Sequence, residues 1–397
     1  MLQTKPRITV LIPTFNRENY LPLCLDSIFS QTLQPHQIIV VNDGSTDNTR
    51  NVLEPFLSKI DYAEIDNQGK SVAINHSLKM VTGDYLWILD DDDVALPDAL
   101  ERFVAPLEKH QEYDFSFSSF YFAGSNEKDY TIGKIIHEFK IPDLDTRGPF
   151  IPLLEANYLC GAGLFARRSC YDQIGDFDPA LIRSEDYDMA IRLTRAFNGI
   201  NVQDKPTFYY RQHQVLRGSV SDRFPYHQTK RKSLEYDQII FRRLHKKLPL
   251  EEYLPPGSSL DINRRQAILQ RMAIMASKLL IPEAAEDLEE LQQLNIQHPF
   301  IEPERKIIAK MVLETPWYEE GKLIDTVSFE SGLNSALFSD QNAVLEITDK
   351  ISEIVNTKKV RNKTELLEIM LSFSQPNVIV DLLLSLIRNR EKGLFVS

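Results

Sequence analysis

Residues 8–43 read ITVLIPTFNRENYLPLCLDSIFSQTLQPHQIIVVND, and this stretch indicates the fold of the first half of the chain. Its first seven residues, Ile8–Thr14, are apolar and rich in β-branched side chains, which predicts a strand buried on both faces. Residues 36–43 (HQIIVVND) predict a second strand. The segment between them carries apolar residues at helical spacing, namely Leu21, Leu25, Ile28 and Phe29.

The same alternation of strand and helix continues to residue 90. Residues 62–66 (YAEID) and 84–90 (DYLWILD) predict a third and a fourth strand. Residues 44–57 and 70–81 predict the helices that precede them. Alternating strands and helices are typical of a mostly parallel sheet with helices on both faces, so we expect an α/β domain.

Polar side chains follow each of the four predicted strands. In open α/β sheets, ligands bind in the crevice outside the carboxyl ends of the strands. One polar strand end is usually only a turn, whereas four of them together predict a ligand site. The residues are Thr14 and Asn16, then Asn42 and Asp43, then Asp66 and Asn67, and finally the run Asp90–Asp93.

Two common nucleotide-binding patterns are absent. No G-x-G-x-x-G fingerprint follows the first predicted strand, and Gly69-Lys70-Ser71 lacks the earlier glycine of a phosphate loop. These absences argue against a dehydrogenase and a P-loop NTPase. The net charge of −12 argues against nucleic acid as the main partner, because such proteins need a basic surface. Three widely spaced cysteines predict neither a disulfide framework nor a zinc site.

Four consecutive aspartates, Asp90–Asp93, end the fourth predicted strand. Adjacent carboxylates raise one another's pKa unless a cation neutralises them. A hard divalent ion with oxygen ligands, Mg²⁺ or Mn²⁺, is the natural partner. Strand alternation would point Asp90 and Asp92 one way and the other two the opposite way. The alternative is a solvated acidic turn, with Asp93 or Asp98 capping a helix.

Several motifs, in order, resemble the family 2 glycosyltransferases with the GT-A fold. They are Pro13-Thr14-Phe15-Asn16, Asn42-Asp43-Gly44-Ser45 with Asp47, Asn67, Gly69 and Asn75 in NQGKSVAIN, the Asp run at the place of a D-x-D metal motif, and Glu185-Asp186 in RSEDYDMAIRL. The resemblance covers roughly residues 7–220. It implies a Rossmann-like, mixed but mostly parallel sheet and the transfer of a sugar from a nucleotide-diphosphate sugar.

The resemblance also implies roles for individual residues. Asp186 would be the catalytic base and Glu185 would orient it, in a direct displacement that inverts the anomeric centre. Asp92 would bind Mn²⁺ or Mg²⁺, and His213 would be a metal or phosphate ligand, although a single histidine is more often structural. Phe15 stands where relatives often have tyrosine. The expected nucleotide-binding residues are Pro13, Thr14, Phe15, Asn16, Asp43, Asn67, Gly69, Asp90, Asp91 and Arg217.

The resemblance leaves the substrates open. UDP is the expected nucleotide, since it is the commonest one among relatives. The acceptor would be a glycan, a lipid-linked molecule or a protein, in a pathway such as polysaccharide biosynthesis. Two alternatives remain: an aspartate-nucleophile phosphohydrolase, which also places D-x-D after an apolar strand, and a non-catalytic GT-A fold used only for binding.

The second half of the chain has a different pattern. We predict a transferase domain over residues 1–225 and a C-terminal all-helical domain over residues 226–397, with helical segments such as residues 260–280 and 283–294 separated by proline and polar loops. Its apolar faces would also suit a homo-oligomer. The sequence predicts neither a signal peptide nor a transmembrane segment. We therefore expect a cytoplasmic protein, or one peripheral to the membrane.

Overall fold

A computed structural model describes residues 5–144, 147–202, 205–215, 223–225, 228–294 and 301–314. The chain divides into two compact units. The first unit comprises Met1–Asp145 and Pro152–Tyr236, and the second comprises Thr146–Ile151 and Asp237–Ser397. Within the described ranges, every helix is too short or too polar to cross a membrane.

The described part of the first unit contains two sheets, six complete helices and most of a seventh. The strands are β1 Ile8–Thr14, β2 Gln37–Asp43, β3 Asp61–Ile65, β4 Tyr85–Ile88, β5 Val94–Ala95, β6 Phe115–Phe117, β7 Phe120–Ser125, β8 Ile132–Phe139, β9 Leu164–Arg167, β10 Gly199–Asn201 and β11 Phe208–Gln212. The helices are α1 Leu21–Phe29, α2 Thr49–Leu53, α3 Lys70–Leu78, α4 Ala99–Lys109, α5 Phe150–Glu155, whose first two residues belong to the second unit, α6 Arg168–Ile174 and α7 Glu185–Ala196.

The larger sheet has seven strands in the order β10-β6-β9-β4-β1-β2-β3. Strand β1 pairs in parallel with β2 and with β4, and β2 pairs in parallel with β3. Only β9 runs antiparallel to its neighbours, β4 and β6. This mixed, mostly parallel sheet confirms the predicted fold class and brings the carboxyl ends of β1, β2 and β4 to one edge.

Strand β1 accommodates Pro13, although it is a central strand, because the neighbouring strand β4 ends before this position. Leu89 donates its backbone N–H to the carbonyl of Leu11, so Leu11 bonds on the side of β4. Pro13 is two residues further on and bonds on the same side. There β4 has already ended at Ile88, so no ladder partner is left for the N–H that proline lacks.

The core of the first unit packs α4 against the sheet through aromatic rings. The ring of Phe103 stacks on Phe165 at 5.5 Å between centroids and lies 5.5 Å from Trp87. All three side chains are fully buried. The indole Nε1 of Trp87 donates to the carbonyl of Ala162 at 2.8 Å, which satisfies its polar atom and ties the core to the segment before β9.

The smaller sheet, ordered β5-β11-β7-β8, was not predicted from the sequence. Its strand β5 directly follows the Asp run, and β5 pairs antiparallel with β11 through Val94 and Tyr209. This pairing places the segment that contains Arg211 and His213 beside the Asp run, although more than a hundred residues separate the two segments in the sequence.

The second unit is helical in its described part. It contains the C-terminal part of α8 (Thr229–Lys247), α9 (Leu260–Ser277), α10 (Ile281–Gln293) and α11 (Glu302–Glu314). Asp287 is fully buried and accepts hydrogen bonds from Arg271 and His245. The predicted helical domain extends to residue 397, and its part after residue 314 lies outside the described residues.

Candidate functional site

The Asp run forms an acidic cluster because β4 ends before it. Asp93 donates its backbone N–H to the carbonyl of Asp90 at 3.1 Å, which closes a turn immediately after the strand. The side chains therefore do not alternate as in a strand. Asp90, Asp92 and Asp93 each offer an oxygen, and these oxygens all lie within 4.8 Å of one another. We call these three residues the acidic cluster.

Each carboxylate of the acidic cluster is bound by the protein itself. Nζ of Lys70 lies 2.6 Å from Oδ1 of Asp90, and Nε2 of His213 lies 2.8 Å from Oδ2 of Asp92. The backbone N–H of Arg211 donates to Oδ1 of Asp93 at 3.0 Å. These contacts offset part of the repulsion that four consecutive carboxylates create.

Asp91 points away from the acidic cluster and toward the end of β1. Its Oδ2 accepts the backbone N–H of Phe15 at 3.3 Å, and its Oδ1 lies 3.5 Å from Nε of Arg17. Burial raises the pKa of Asp91 to about 7, although Arg17 acts to lower it. Asp91 thus holds the loop after β1 against the Asp run.

The residues that follow β1 lie at the expected edge of the sheet. Pro13 and Thr14 are buried, and Phe15 is half-buried with the guanidinium of Arg223 over its ring at 5.3 Å from the centroid. Asn16 has a positive φ of 53°, and its Oδ1 accepts the backbone N–H of Thr46 at 2.8 Å. Asn16 therefore links the loops after β1 and β2.

Asp43, at the end of β2, anchors the turn before α3. Its Oδ1 accepts the N–H of Gln68 at 2.9 Å, and its Oδ2 accepts the N–H of Gly69 at 2.9 Å and Nδ2 of Asn67 at 3.0 Å. Burial raises the pKa of Asp43, and the two backbone hydrogen bonds act in the opposite direction. Gly69 adopts a φ of 97°, a conformation that favours glycine.

A cleft that is partly open to solvent lies beside Asp90 and the start of α7. Asp186 is half-buried there, and its Oδ2 accepts the N–H of Gly161 at 3.2 Å. A Cβ on Gly161 would lie 3.2 Å from Cβ of Asp186, so glycine allows the close approach. Its lining combines apolar and charged side chains; the residues are Lys70, Ile74, Ile88, Asp90, Gly161, Leu164, Tyr171, Phe177, Glu185, Asp186 and Met189.

The structure brings most of the expected site residues to one edge of the sheet. His213 lies against Asp92, and its role as a metal or phosphate ligand stays a prediction. Arg217 lies outside the described residues. Arg17, Lys70 and the place of Asp93 in the acidic cluster were not predicted from the sequence. Arg17 directly follows the polar strand end at Asn16, and Lys70 lies three residues after Asn67. That nearness to a polar strand end is the signal that could have identified them.

The acidic cluster fits a divalent cation. Three carboxylate oxygens within 4.8 Å of one another form the hard oxygen-donor set that Mg²⁺ and Mn²⁺ prefer. His213 adds an imidazole that Mn²⁺ accepts. The residues that could hold the ion are therefore Asp90, Asp92, Asp93 and His213.

This arrangement defines an α/β domain with a polar crevice at the strand ends, an acidic cluster and a second pair of carboxylates beside a cleft. Residues 9–175 match the family model described as glycosyl transferase family 2. This part of the chain is therefore similar to a family 2 glycosyltransferase domain, and the match covers less than half of the chain. The first unit has the GT-A fold.

Two curated relatives and one solved structure are also similar to this chain. An uncharacterized glycosyltransferase of Rickettsia felis is 31% identical over 192 residues, which cover 48% of this chain and 32% of that protein. Glycosyltransferase GlyA of Streptococcus pneumoniae serotype 4 is 37% identical over 124 residues, covering 30% and 18% respectively. The chain thus spans a third or less of the length of these two relatives.

The solved structure is S. aureus TarS 1-349 in complex with UDP-GlcNAc. It superposes with a TM-score of 0.50 at 16% identity, covering 98% of this chain and 92% of that one. At this identity the similarity concerns the fold.

Proposed function

We propose that the protein transfers a sugar from a nucleotide-diphosphate sugar to an acceptor hydroxyl, with metal dependence and inversion at the anomeric carbon. One observation carries the proposal: the acidic cluster and the Glu185–Asp186 pair lie on the same cleft, since Asp90 lines it together with both residues. A sugar bound there could contact a neutralised diphosphate on one side and a base on the other.

The nucleotide would lie over the ends of β1 and β2. Pro13, Thr14, Phe15 and Asn16 would border the base and ribose, and Asp43 would hydrogen-bond the base beside Asn67 and Gly69. Asp90, Asp91 and Arg217, which lies outside the described residues, would complete the set. UDP is the nucleotide we propose. TarS, which shares the fold, was solved in complex with UDP-GlcNAc, and this complex concerns TarS alone.

Asp92 and His213, with Asp90 and Asp93 beside them, would hold Mn²⁺ or Mg²⁺. When bound, such an ion acts as a Lewis acid that neutralises the leaving diphosphate.

Asp186 would take the proton of the acceptor hydroxyl, while the acceptor oxygen forms a bond to the anomeric carbon. The bond from that carbon to the diphosphate oxygen breaks, and nucleoside diphosphate leaves with the electron pair. Glu185 is 6% exposed and would orient the base. A single displacement by one base, without a second nucleophile, inverts the anomeric centre.

The remaining features of the proposal concern the whole protein. The acceptor would be a glycan, a lipid-linked molecule or a protein, and the pathway would be polysaccharide biosynthesis in the cytoplasm, at or near the membrane surface. We propose the domain boundary near residue 225, with the helical domain supporting self-association.

The proposal can be tested with a panel of nucleotide sugars incubated with Mn²⁺ or Mg²⁺. We expect metal-dependent release of nucleoside diphosphate that Asp92→Ala abolishes. Asp186→Asn should bind the donor yet lose transfer, whereas Asp188→Asn, on the same helix but paired with Arg192 at 2.8 Å, should keep both. Transfer that survives in Asp186→Asn would refute the assignment of the base.

A phosphatase substrate in the same panel separates the alternative function. Release of inorganic phosphate through a covalent aspartyl-phosphate would replace the proposal with a phosphohydrolase. Donor binding without any turnover would leave a non-catalytic binding fold.

A further inference from the structure

Lys70 links two segments that are far apart in the sequence. Its Nζ lies 2.6 Å from Oδ1 of Asp90 and 3.1 Å from Oε1 of Glu185. Asp90 belongs to the acidic cluster, and Glu185 is the first residue of α7, directly before Asp186. One ammonium group therefore connects the proposed metal side of the cleft to the proposed base side.

The position of this lysine is locally unfavourable. Lys70 is the first residue of α3, where the helix dipole disfavours a positive charge. Burial acts to lower the pKa of Lys70, yet the carboxylates of Asp90, Glu185 and Asp186 outweigh it and hold that pKa well above its usual value. The surrounding carboxylates thus compensate for a cation that the helix alone would not favour.

The turn before Lys70 is fixed independently. Asp43 accepts the N–H of Gly69 at 2.9 Å, and the φ of 97° at Gly69 turns the chain into α3. Lys70 therefore starts from a backbone that the end of β2 holds in place. The ammonium group of Lys70 can position carboxylates, because the backbone of Lys70 is held in place.

We propose that Lys70 is a positioning residue of the transferase site: its ammonium holds Asp90 and Glu185 together and so sets Asp186 relative to the acidic cluster. This inference rests on the proposed function. Lys70 touches the two carboxylates and acts through them, so we do not call it catalytic. It also competes with a divalent cation for Asp90.

Two consequences separate this role from simple stabilisation. Without the ammonium, the negative charge of Asp90 is no longer offset by a neighbouring cation, and Mn²⁺ should bind more tightly. The same loss leaves Asp90 and Glu185 repelling each other, so α7 shifts at its start and Asp186 moves from its position. A misplacement of about 1 Å can slow catalysis roughly a hundredfold. A residue that only stabilised the fold would, when lost, weaken both metal binding and turnover.

The first measurement is a calorimetric titration of the full chain with Mn²⁺ alone. We expect Lys70→Met to bind Mn²⁺ about tenfold more tightly than the wild type, because a positive charge beside a ligand carboxylate is removed. Lys70→Arg should stay close to the wild type. Lys79→Met is the matched control, since Lys79 is an exposed lysine at the other end of α3, and its affinity should not change.

An unchanged or weaker Mn²⁺ affinity in Lys70→Met overturns the inference, and so does the absence of Mn²⁺ binding in both the variant and the wild type. Tighter binding in the variant supports it.

The second measurement uses whichever nucleotide sugar the panel shows to be a donor. Lys70→Met should lower kcat about a hundredfold while KM for the donor changes only a few-fold, and Lys70→Arg should restore much of kcat. An unaltered kcat overturns the inference. If the wild type turns over no donor, the proposed function fails, and the Mn²⁺ titration still decides the role of Lys70.

Discussion

Gly44→Ala should loosen the turn that Asp43 anchors. Gly44 directly follows Asp43 and has a φ of 69°. A Cβ at this position would lie 2.7 Å from the backbone nitrogen of Asn67 and 3.2 Å from the carbonyl oxygen of Ile65. Both neighbours are backbone atoms, which cannot rotate away as a side chain can. The turn must therefore move by about 0.7 Å to reach an ordinary contact distance.

The magnitude follows from the bonds that this movement stretches. Gln68 and Gly69 each donate to Asp43 at 2.9 Å, so the same movement brings both bonds beyond about 3.5 Å. Each hydrogen bond to a charged group contributes about 1.5 kcal/mol, and the left-handed conformation costs alanine about 1 kcal/mol. We therefore expect a loss of about 4 kcal/mol in the free energy of unfolding of the first unit.

Denaturant unfolding, monitored by the fluorescence of Trp87, measures this loss of stability in the first unit, to which Trp87 belongs. The background should carry Trp317→Phe, which leaves Trp87 as the single tryptophan of the chain. Hydrogen exchange of the Gln68 and Gly69 amides provides the local readout. Both amides should lose protection in Gly44→Ala by more than the global destabilisation accounts for.

Gly175→Ala is the matched control. Gly175 has a φ of 82°, and a Cβ there would meet no atom within 4 Å. The control should lose stability through its backbone conformation, while the relative protection of the Gln68 and Gly69 amides stays unchanged. Equal exchange at these amides in both variants would refute the steric argument.

Three further predictions concern other parts of the chain. Trp87→Phe should destabilise the first unit by about 2 kcal/mol, because it removes the hydrogen bond to Ala162 and buried ring surface. Arg271→Met should destabilise the second unit by about 3 kcal/mol, because Asp287 is fully buried and loses its guanidinium partner. Cys160 should react slowly with N-ethylmaleimide at pH 8, since burial and nearby carboxylates raise the pKa of its thiol well above the usual value.

Each of these predictions has its own check. Thermal unfolding measures the first two, with Lys79→Met as a surface reference in the first unit, and a variant as stable as the wild type would contradict either. Mass spectrometry measures the third, with Cys160→Ser as the blank, because Cys24 and Cys170 are buried. Labelling of Cys160 as fast as that of a free thiol would contradict the pKa argument.

The strand positions were predictable because the strands of this sheet are continuous apolar runs. Ile8–Thr14 was predicted with the bounds that the structure has, and β2 to β4 differ at their ends by one or two residues. Helices were predicted too long. Residues 44–57, for example, were predicted as one helix, but α2 covers only Thr49–Leu53, and a separate short 3-10 helix at Glu54–Phe56 follows it.

Position in the chain and role in the structure can also differ. Asp98 occupies the N-cap position of α4, which the sequence suggested for it, but its side chain makes no capping hydrogen bond. Its carboxylate instead lies 2.7 Å from Nζ of Lys205. A residue distant in sequence offered a charged partner, and that contact could not be anticipated from local preference.

In the site, too, some features follow from the local sequence and others only from the tertiary structure. Asp43, the Asp run and Glu185–Asp186 are local patterns at strand ends and at a helix start, so the sequence by itself indicated them and the α/β class. The partners of these carboxylates come from elsewhere in the chain: His213 for Asp92, Arg211 for Asp93 and Lys70 for both Asp90 and Glu185. Only the tertiary structure decided those pairings. Strand periodicity depends on neighbours in the chain, whereas an ion pair depends on which distant segments the sheets bring together.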